Sequence, residues 1–375
     1  MIRIIKLRFS KKENKFTLYK KIKLKLKLLL YYRITKILII SILFLFLAIN
    51  AYKILYHKNN NINKNINDNN NLNKKNNIDN FEKKIEKELS KLNYNNMKLD
   101  INNINRDFKL LVNKYKYLIK KEKNIDEKSP IWVMWYQGID NAPPIVKSCI
   151  QSIIENRAEH PVYIISKYNL NNYIKFPPYI IKKFNKRKFS ITHFSDIIRF
   201  ALLSKYGGYW LDSTYFIQTP LTKVNTSFFS LKLNHCWLKR SHYIKCLYSG
   251  NFLGVGKNSF IATYAYMAFL YYWKKYNSLI YYLLIDIIIH IAYFNVPEFR
   301  NKIKKLPFVH CNIFKLERKL KNDFDISYFK CPFNKLKKRK YNILFNKKKI
   351  TNFGYITEKY KLIIKNNSRN FTLNI

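Results

Sequence analysis

A strand, a helix and a second strand follow one another from residue 131 of this 375-residue chain, and this order limits the possible folds more than any other feature. Residues 131–136 are a continuous apolar run, which suits a strand buried on both faces. Pro143 and Pro144 open a helix whose apolar positions follow the 3.6-residue period. Residues 162–166 have the composition of a second strand. The pattern therefore predicts a parallel strand–helix–strand unit in an α/β fold.

The ends of these two strands are candidate binding positions. The first run ends at Gln137 and Gly138, and the second ends at Ser166. Sheets of this kind bind ligands in the crevice beyond the carboxyl ends of their strands. We therefore expect Gln137 and Ser166 to lie near a ligand.

A helix with one polar side follows in residues 190–206. Thr192 is its expected N-cap, and Gly207 is expected to end it in a left-handed conformation. Asp196 and Arg199 lie three residues apart, on the side opposite the apolar residues. Such a pair is by default a surface ion pair that stabilises a helix by about 0.2–0.5 kcal/mol.

The residues after this helix argue against that default. Gly207 and Gly208 impose a sharp turn, and a short buried strand then ends at Asp212. A carboxylate placed there, beside the helix that carries Asp196 and Arg199, is suited to hold a divalent cation or sugar hydroxyls next to a diphosphate.

The sequence resembles the capsular polysaccharide synthesis proteins, which are related to the glycosyltransferases that carry a DXD sugar-binding motif. The resemblance covers roughly residues 129–310. It rests on residues 132–135, 137–138, 142–143, 193–199, 205–212, 251–257 and 281–286. The helix with Asp196 and Arg199, followed by Tyr-Gly-Gly and Asp212, is the most specific combination among them.

This resemblance implies a glycosyltransferase A-type fold, a Rossmann-like α/β domain that binds a nucleotide sugar. It also implies a Mn²⁺ or Mg²⁺ ion on the donor diphosphate, and hexosyl transfer with retention of anomeric configuration. Matched by position, Asp212 is the first Asp of the motif and the metal ligand, and Asp196 and Arg199 contact the donor sugar and phosphate. The implied donor-binding positions are Trp135, Gln137, Gly138, Gly208 and Thr214.

One position departs from the motif of the wider set of DXD glycosyltransferases, whereas the capsular polysaccharide synthesis proteins share a single Asp here. Thr214 stands where the second Asp is expected. A hydroxyl binds a cation more weakly than a carboxylate does, so the sequence leaves the metal requirement open. The expected partners are a nucleotide-sugar donor and a saccharide or lipid-linked acceptor, and no nucleic acid is expected.

A third acid, Asp286, lies in the apolar run 279–291. An unpaired carboxylate there is costly, so Asp286 is either a core residue with a partner or a site residue. His193 and His310 are interpreted as ordinary structural or surface histidines, and Lys257 as a solvated side chain. The five cysteines, Cys149, Cys236, Cys246, Cys311 and Cys331, include no CxxC pair and predict buried free thiols rather than a zinc site or a disulfide framework.

The N-terminal part predicts a membrane attachment. Residues 1–36 hold thirteen Lys or Arg and one acid, and residues 37–55 contain an apolar run long enough to form a transmembrane or membrane-embedded helix. The excess of basic residues before this run places the N-terminus in the cytoplasm. The predicted organisation is a basic segment (1–36), a membrane helix (37–55), an Asn-rich linker (56–80), a helical stalk (81–128) and a glycosyltransferase domain (129–375).

Two questions stay open at this point. A heptad pattern in residues 101–118 favours either pairing with a second chain or packing against the following domain. A single-pass arrangement puts residues 129–375 outside the cytoplasm, away from bacterial nucleotide sugars. The alternative is an N-terminus that lies in the cytoplasmic leaflet and keeps this domain beside its donor.

The net charge of +49 suggests an anionic partner, and 48% apolar residues exclude a wholly disordered chain. The alternative function is a non-catalytic, membrane-anchored protein that binds an anionic polymer. A stalk protein with a vestigial α/β domain is a third possibility. Neither alternative accounts for the ordered block that ends at Asp212.

Overall fold

The computed structural model of the protein describes residues 100–222, 224–233, 247–338, 343–362 and 372–373. The predicted membrane helix at 37–55 lies outside the described residues, as do the basic segment, the Asn-rich linker and residues 81–99 of the predicted stalk. Within the described ranges, none of the helices is long and apolar enough to cross a bilayer. The N-terminal membrane helix therefore stays a prediction.

The described chain contains both helices and strands. The α-helices are α1 (Asp100–Tyr115), α2 (Pro144–Glu155), α3 (Leu170–Tyr173), α4 (Pro178–Asn185), α5 (Ile191–Tyr206), α6 (Phe260–Lys275), α7 (Leu284–Asn295), α8 (Pro297–Lys304), α9 (Lys315–Lys319) and α10 (Asn352–Lys359). Short 3₁₀ helices span Lys116–Lys120, Ile139–Asn141 and Ile326–Phe329. The strands are β1 (Ile131–Met134), β2 (Val162–Ile165), β3 (Gly208–Leu211), β4 (Tyr215–Ile217), β5 (Phe228–Ser230), β6 (Lys232–Leu233), β7 (Phe252–Val255), β8 (Phe308–Val309), β9 (Phe333–Lys335), β10 (Phe345–Asn346), β11 (Lys349–Ile350) and β12 (Thr372–Leu373).

A six-stranded mixed sheet forms the centre of the fold, in the order β12-β2-β1-β3-β7-β5. The strands β2, β1 and β3 are parallel to one another. Antiparallel pairs join β12 to β2, β7 to β3 and β5 to β7. Two-residue to three-residue strands form the additional pairs β4-β9, β6-β8 and β10-β11. The α/β fold class is therefore confirmed, with a parallel centre and antiparallel edges.

The predicted strand–helix–strand unit is confirmed. β1 and β2 are parallel with Ile131 opposite Val162 and Met134 opposite Ile165, and α2 connects them. The helix begins at Pro144, whose missing N–H costs nothing at the first helical position. β1 ends two residues earlier than the apolar run predicts, because the chain turns at Trp135.

The turn into β3 depends on Gly208. Its φ is +92°, and a Cβ atom there would lie 2.1 Å from the carbonyl oxygen of Pro130. Only glycine fits both the positive φ and this close approach. The approach matters because Tyr209 N–H donates to the same carbonyl at 2.7 Å, which fixes β3 beside β1.

Helix α1 packs against α6 and α7 of its own chain. Its buried stripe consists of Ile104, Phe108 and Val112, spaced four residues apart. Asp107 on the same helix also pairs with Lys275 of α6, at 2.7 Å. Of the two alternatives for the heptad pattern, the structure shows packing against the following domain rather than a separate stalk.

One expectation about the cysteines is wrong. Cys311 and Cys331 form a disulfide, with their Cα atoms 5.6 Å apart. Cys149 is buried and free, as expected. Spacing along the chain could not reveal the pair, because packing of the segment between β8 and β9 brings the two residues together. Cys236 and Cys246 lie outside the described residues.

Candidate active site

Helix α5 presents Asp196 and Arg199 toward the end of β3. Its N-cap is Ser190, whose hydroxyl accepts from the His193 N–H at 3.2 Å, so the prediction of Thr192 as the cap is wrong. The end of the helix is confirmed, because Gly207 has a φ of +69°. The apolar side of α5 is buried in the core and fixes the rotation of the helix, through Phe194, Ile197, Ile198, Ala201 and Leu202.

Arg199 bridges two carboxylates. Its Nη1 atom lies 3.2 Å from Asp196 Oδ1, and its Nη2 atom lies 3.3 Å from Asp212 Oδ1. The Arg199 side chain is only 6% exposed, and Asp212 is the most exposed of the three at 28%. The pair on α5 is therefore not a surface ion pair, and the structure brings together the three residues that the sequence singled out.

Trp210 contacts both Asp212 and Arg199. Its indole N–H donates to Asp212 Oδ1 at 3.0 Å, and its ring lies 5.1 Å from the Arg199 guanidinium carbon. A buried aromatic face beside a guanidinium is favourable, because the ring quadrupole attracts the cation. The strand β3 thus supplies an acid and the group that orients it.

Lys335 is a site residue that sequence reasoning missed. Its Nζ atom lies 2.9 Å from Asp212 Oδ2 and donates a hydrogen bond to the Thr214 hydroxyl. It ends strand β9, which pairs antiparallel with β4 so that Lys335 lies opposite Tyr215. In the sequence it is one more lysine of a lysine-rich tail, and only the pairing of two distant strands places it beside Asp212.

Asp286 also belongs to this neighbourhood. It accepts a hydrogen bond from the Tyr248 hydroxyl at 3.0 Å, and its charge acts on Asp196. Asp286 is thus both a core carboxyl with a partner and part of the electrostatics of the site. Tyr248 was not singled out in the sequence.

The two carboxylates on Arg199 have opposite pKa shifts. Burial, together with the charges of Asp212 and Asp286, raises the pKa of Asp196 from 3.8 to about 7, although Arg199 opposes this. Burial also acts to raise the pKa of Asp212, but the charges of Lys335 and Arg199 outweigh it and lower that pKa. Asp212 is therefore fully ionised near neutral pH, whereas Asp196 titrates there.

A cavity of about 890 Å³ opens beside Asp212. Its lining residues include Trp135, Gln137, Asn141, Trp210, Asp212, Thr214, Tyr282, Lys335, Lys337 and Lys338. Trp135, Gln137 and Thr214 were expected near the donor and do line this cavity. Among the described residues, the buried indole N–H of Trp135 has no hydrogen-bond partner. The volume lies in the range of small-molecule sites.

Two of the expected donor-binding glycines lie elsewhere. Gly138 lines a neighbouring cavity of about 430 Å³ together with Ser166, at the ends of β1 and β2. Gly208 lies at the start of β3, the end away from Asp212, and contacts Pro130. Gly208 permits the turn and the close approach of β3 to β1. The structure does not place it at the donor cavity.

The donor atoms around Asp212 do not fit a divalent cation. Mg²⁺ takes six oxygen ligands and Mn²⁺ prefers the same kind, carboxylates foremost. Here Asp212 Oδ1 already accepts from Trp210 and Arg199, and Asp212 Oδ2 from Lys335. In the part of the chain that the structure describes, no group of three or more His, Cys, Asp or Glu side chains is placed to hold a metal.

The two histidines and the lysine that the sequence left outside the site do not line the cavity. His193 is buried, its Nε2 atom accepts from the Trp273 indole N–H at 2.8 Å, and burial lowers its pKa to about 4. It is therefore a neutral core histidine. His310 and Lys257 are exposed.

Comparison with solved structures gives a weak likeness. The structure described as PaToxG Glycosyltransferase aligns with 55% of this chain and 83% of its own, at 14% sequence identity and a TM-score of 0.34. A score this low does not establish a shared fold. None of the curated proteins compared with the chain matches it.

The sequence comparison with protein families is more informative. The profile described as "Capsular polysaccharide synthesis protein" matches residues 79–359. This range is more than half of the chain and contains α1, five of the six strands of the central sheet, the cavity and every residue of the Arg199 bridge. The chain belongs to the capsular polysaccharide synthesis protein family.

Proposed function

We propose that the protein is a glycosyltransferase that moves a sugar from a nucleotide-sugar donor to a saccharide or lipid-linked acceptor, in the synthesis of a surface or capsular polysaccharide. One observation carries the proposal. In a chain of this family, Arg199 and Trp210 hold the ionised carboxylate of Asp212 at the edge of a ligand-sized cavity.

The cavity has the chemistry that a nucleotide sugar requires. Aromatic faces from Trp135 and Tyr282 can pack against flat rings, and the amide of Gln137 can pair with the hydrogen-bonding edge of a base or with a ribose. Three lysines, Lys335, Lys337 and Lys338, suit the diphosphate. We assign the nucleoside half to the Trp135 end, because its buried indole N–H lacks a partner among the described residues.

Asp212 is assigned to the donor sugar. Its Oδ2 atom accepts one hydrogen bond among the described residues, from Lys335, so it retains acceptor capacity for a sugar hydroxyl. Arg199 and Trp210 fix the carboxylate before the donor arrives, so that no reorganisation is needed during the reaction. Asp196 is assigned a positioning role, because it holds the far side of Arg199 and is 13% exposed.

The reaction then requires the following bond changes. The bond between the anomeric carbon and the diphosphate oxygen breaks, and its electron pair goes to that oxygen. The acceptor hydroxyl oxygen forms the new bond to the anomeric carbon, and its proton is released to solvent. Since negative charge develops on the leaving diphosphate, fixed positive groups in the cavity lower the barrier. We propose hexosyl transfer with retention of anomeric configuration, because the resemblance to the capsular polysaccharide synthesis proteins and the related DXD glycosyltransferases implies it.

We further propose that residues 37–55 attach this domain to a membrane, with the N-terminus in the cytoplasm. The apolar run and the basic residues before it support this proposal. Protease accessibility of the Asn-rich linker in intact vesicles is the direct measurement. Cleavage from the outside agrees with a single-pass arrangement, and complete protection contradicts it.

Release of nucleoside diphosphate from a panel of nucleotide sugars tests the proposed activity. We expect at least one donor to be consumed in the presence of an extracted glycan or lipid acceptor, and Asp212→Asn to lose this turnover. Glu298→Gln is the matched control, because Glu298 is an exposed acid at the start of α8. Binding of an anionic polymer without consumption of any donor would instead support the non-catalytic alternative.

A further inference from the structure

Lys335 occupies the position between the two side chains of the Asp212-Ser-Thr214 segment. Its ammonium nitrogen lies 2.9 Å from Asp212 Oδ2 and also donates to Thr214 Oγ1. We propose that this ammonium group takes the place of the divalent cation, so that the protein binds its donor diphosphate and stabilises the leaving group without a metal. The inference rests on the proposed glycosyltransferase function and adds the identity of the charge that serves it.

The ligand set around Asp212 supports this assignment first. A cation bridging the motif would need the oxygens that point to Lys335, and its second carboxylate is replaced by the neutral hydroxyl of Thr214. A hydroxyl can accept a hydrogen bond from an ammonium group, but it adds no charge for a divalent ion. The neutral hydroxyl of Thr214 and the ammonium group of Lys335 therefore fit each other without a metal ion.

The fold supports it second, because Lys335 is placed by backbone pairing and not by a flexible tail. β4 follows directly after Thr214, and its residues 215–217 pair with Lys335, Asn334 and Phe333 of β9. The Leu336 N–H donates to the Thr214 carbonyl at 2.9 Å, which ties the residue after Lys335 to the same turn. The Lys335 side chain is 16% exposed. Its head group is thus held at the cavity wall.

The charge of the cavity supports it third. Its lining contains three lysines and one acid, Asp212. A cleft of this sign attracts a diphosphate, and its field is strengthened by the low-dielectric walls. A DXD site with two carboxylates has the opposite sign and needs a metal to reverse it. Here Lys335, Lys337 and Lys338 already provide a positive surface.

In the transfer step, the electron pair of the breaking bond moves to the diphosphate oxygen, next to the Lys335 ammonium. The ammonium group donates its remaining N–H to this oxygen and keeps its proton, so that the products are the glycoside, the nucleoside diphosphate and a proton released to solvent. Charge-assisted hydrogen bonds of this kind are about twice as strong as neutral ones. Asp212 keeps the ammonium group aimed through its Oδ2 atom.

Nucleoside diphosphate binding by the full chain, measured by calorimetry with UDP, GDP, CDP and ADP, tests the inference. We expect wild-type protein to bind at least one of them equally well in excess EDTA and in Mn²⁺. Lys335→Met should weaken this binding about 10- to 100-fold, as expected for a lost charged hydrogen bond. Lys335→Arg should retain most of it, and Lys330→Met, at an exposed lysine five residues earlier, should retain all of it.

A direct metal measurement completes the test. Adding wild-type protein to a solution of Mn²⁺ and UDP should leave the Mn²⁺ electron paramagnetic resonance signal unchanged. The double variant Thr214→Asp with Lys335→Ala, which recreates a carboxylate pair, should bind Mn²⁺. A double variant that binds no Mn²⁺ would count against the assignment of Lys335 to the cation position.

The failures of the two proposals are distinguishable. Nucleotide binding that requires Mn²⁺ and disappears in EDTA overturns the inference and leaves the glycosyltransferase function intact. Equal binding by wild type and Lys335→Met also overturns it. Absence of binding to all four nucleotides, with and without Mn²⁺, contradicts the proposed function itself. If Lys335→Met does not fold, as judged by circular dichroism, the EDTA comparison on the wild-type protein still decides.

Discussion

Asp196 on helix α5 and Asp212 at the end of β3 are the same chemical group on the same arginine, yet their environments shift their pKa values in opposite directions. Asp212 shares its oxygens with Trp210 and Lys335 as well as with Arg199. Asp196 has Arg199 but also faces the charges of Asp212 and Asp286. The number of positive groups within reach, rather than burial alone, therefore separates a permanently ionised acid from one that titrates near neutral pH.

The largest expected effect comes from Arg199→Met, which removes the group that the two carboxylates share. Two half-buried acids are then left without their common cation, and the cost is at most the roughly 3–5 kcal/mol of breaking a fully buried pair. Urea unfolding should show this loss, and donor turnover should disappear. Arg157→Met, at a half-buried arginine outside the bridge, is the control. A loss below that of the control would contradict the bridging role.

Asp212→Asn removes the charge of the permanently ionised acid and leaves Asp196 in place. If Asp212 binds the donor sugar, turnover should fall about 100- to 1,000-fold, the usual effect of removing one preorganised electrostatic group. Asp196→Asn should cost less in turnover, because its carboxyl acts through Arg199. Steady-state kinetics with the identified donor provide the measurement. Equal losses in kcat for the two variants would contradict the division of roles.

The pH dependence of stability sharpens the comparison further. Folding raises the pKa of Asp196. Between pH 3.8 and about pH 7, the folded protein therefore binds more protons than the unfolded chain does. This contribution to stability is complete below that window and is lost as pH rises through it. We therefore expect wild type to lose stability relative to Asp196→Asn as the pH rises from about 4 to about 7 in urea titrations.

Asp212 should behave in the opposite way. Its pKa is lowered on folding, so its contribution is present above the unfolded value and is lost as pH falls through the folded one. The advantage of wild type over Asp212→Asn should therefore shrink in acid. Parallel slopes for the two variants would show that the two carboxyls do not differ as described.

The smallest effect is expected for Tyr248→Phe. The change removes the hydrogen bond to Asp286 and leaves a buried carboxyl oxygen without that donor, which costs about 1–2 kcal/mol. Urea unfolding measures the loss, and Tyr168→Phe serves as the control because Tyr168 is 64% exposed. No difference between these two variants would remove Tyr248 from the site.

The sequence predicted the parts of the fold that are encoded locally. The 3.6-residue period of α2 and α5, the continuous apolar strands and the Gly207-Gly208 turn each lie within a short stretch, and the structure has all of them. The same stretch carries Asp196, Arg199 and Asp212, which is why their proximity was predictable. The N-cap of α5 was less predictable, because both Ser190 and Thr192 are good N-cap residues and tertiary contacts select between them.

The other half of the site depends on contacts between distant segments. Lys335 is 123 residues from Asp212, and Tyr248 is 38 residues from Asp286. No local period encodes the pairing of β4 with β9, and in a chain with so many lysines a functional one has no compositional signal. The disulfide between Cys311 and Cys331 was missed for the same physical reason.

That disulfide has a consequence for Lys335. It joins residues separated by 20 positions, and β9 begins two residues after Cys331. Closing a loop of this length removes conformational entropy from the unfolded chain worth about 3 kcal/mol, by the chain-entropy model. The strand is held by a covalent ring as well as by hydrogen bonds to β4, so unfolding of this segment, which would carry Lys335 away from Asp212, is disfavoured.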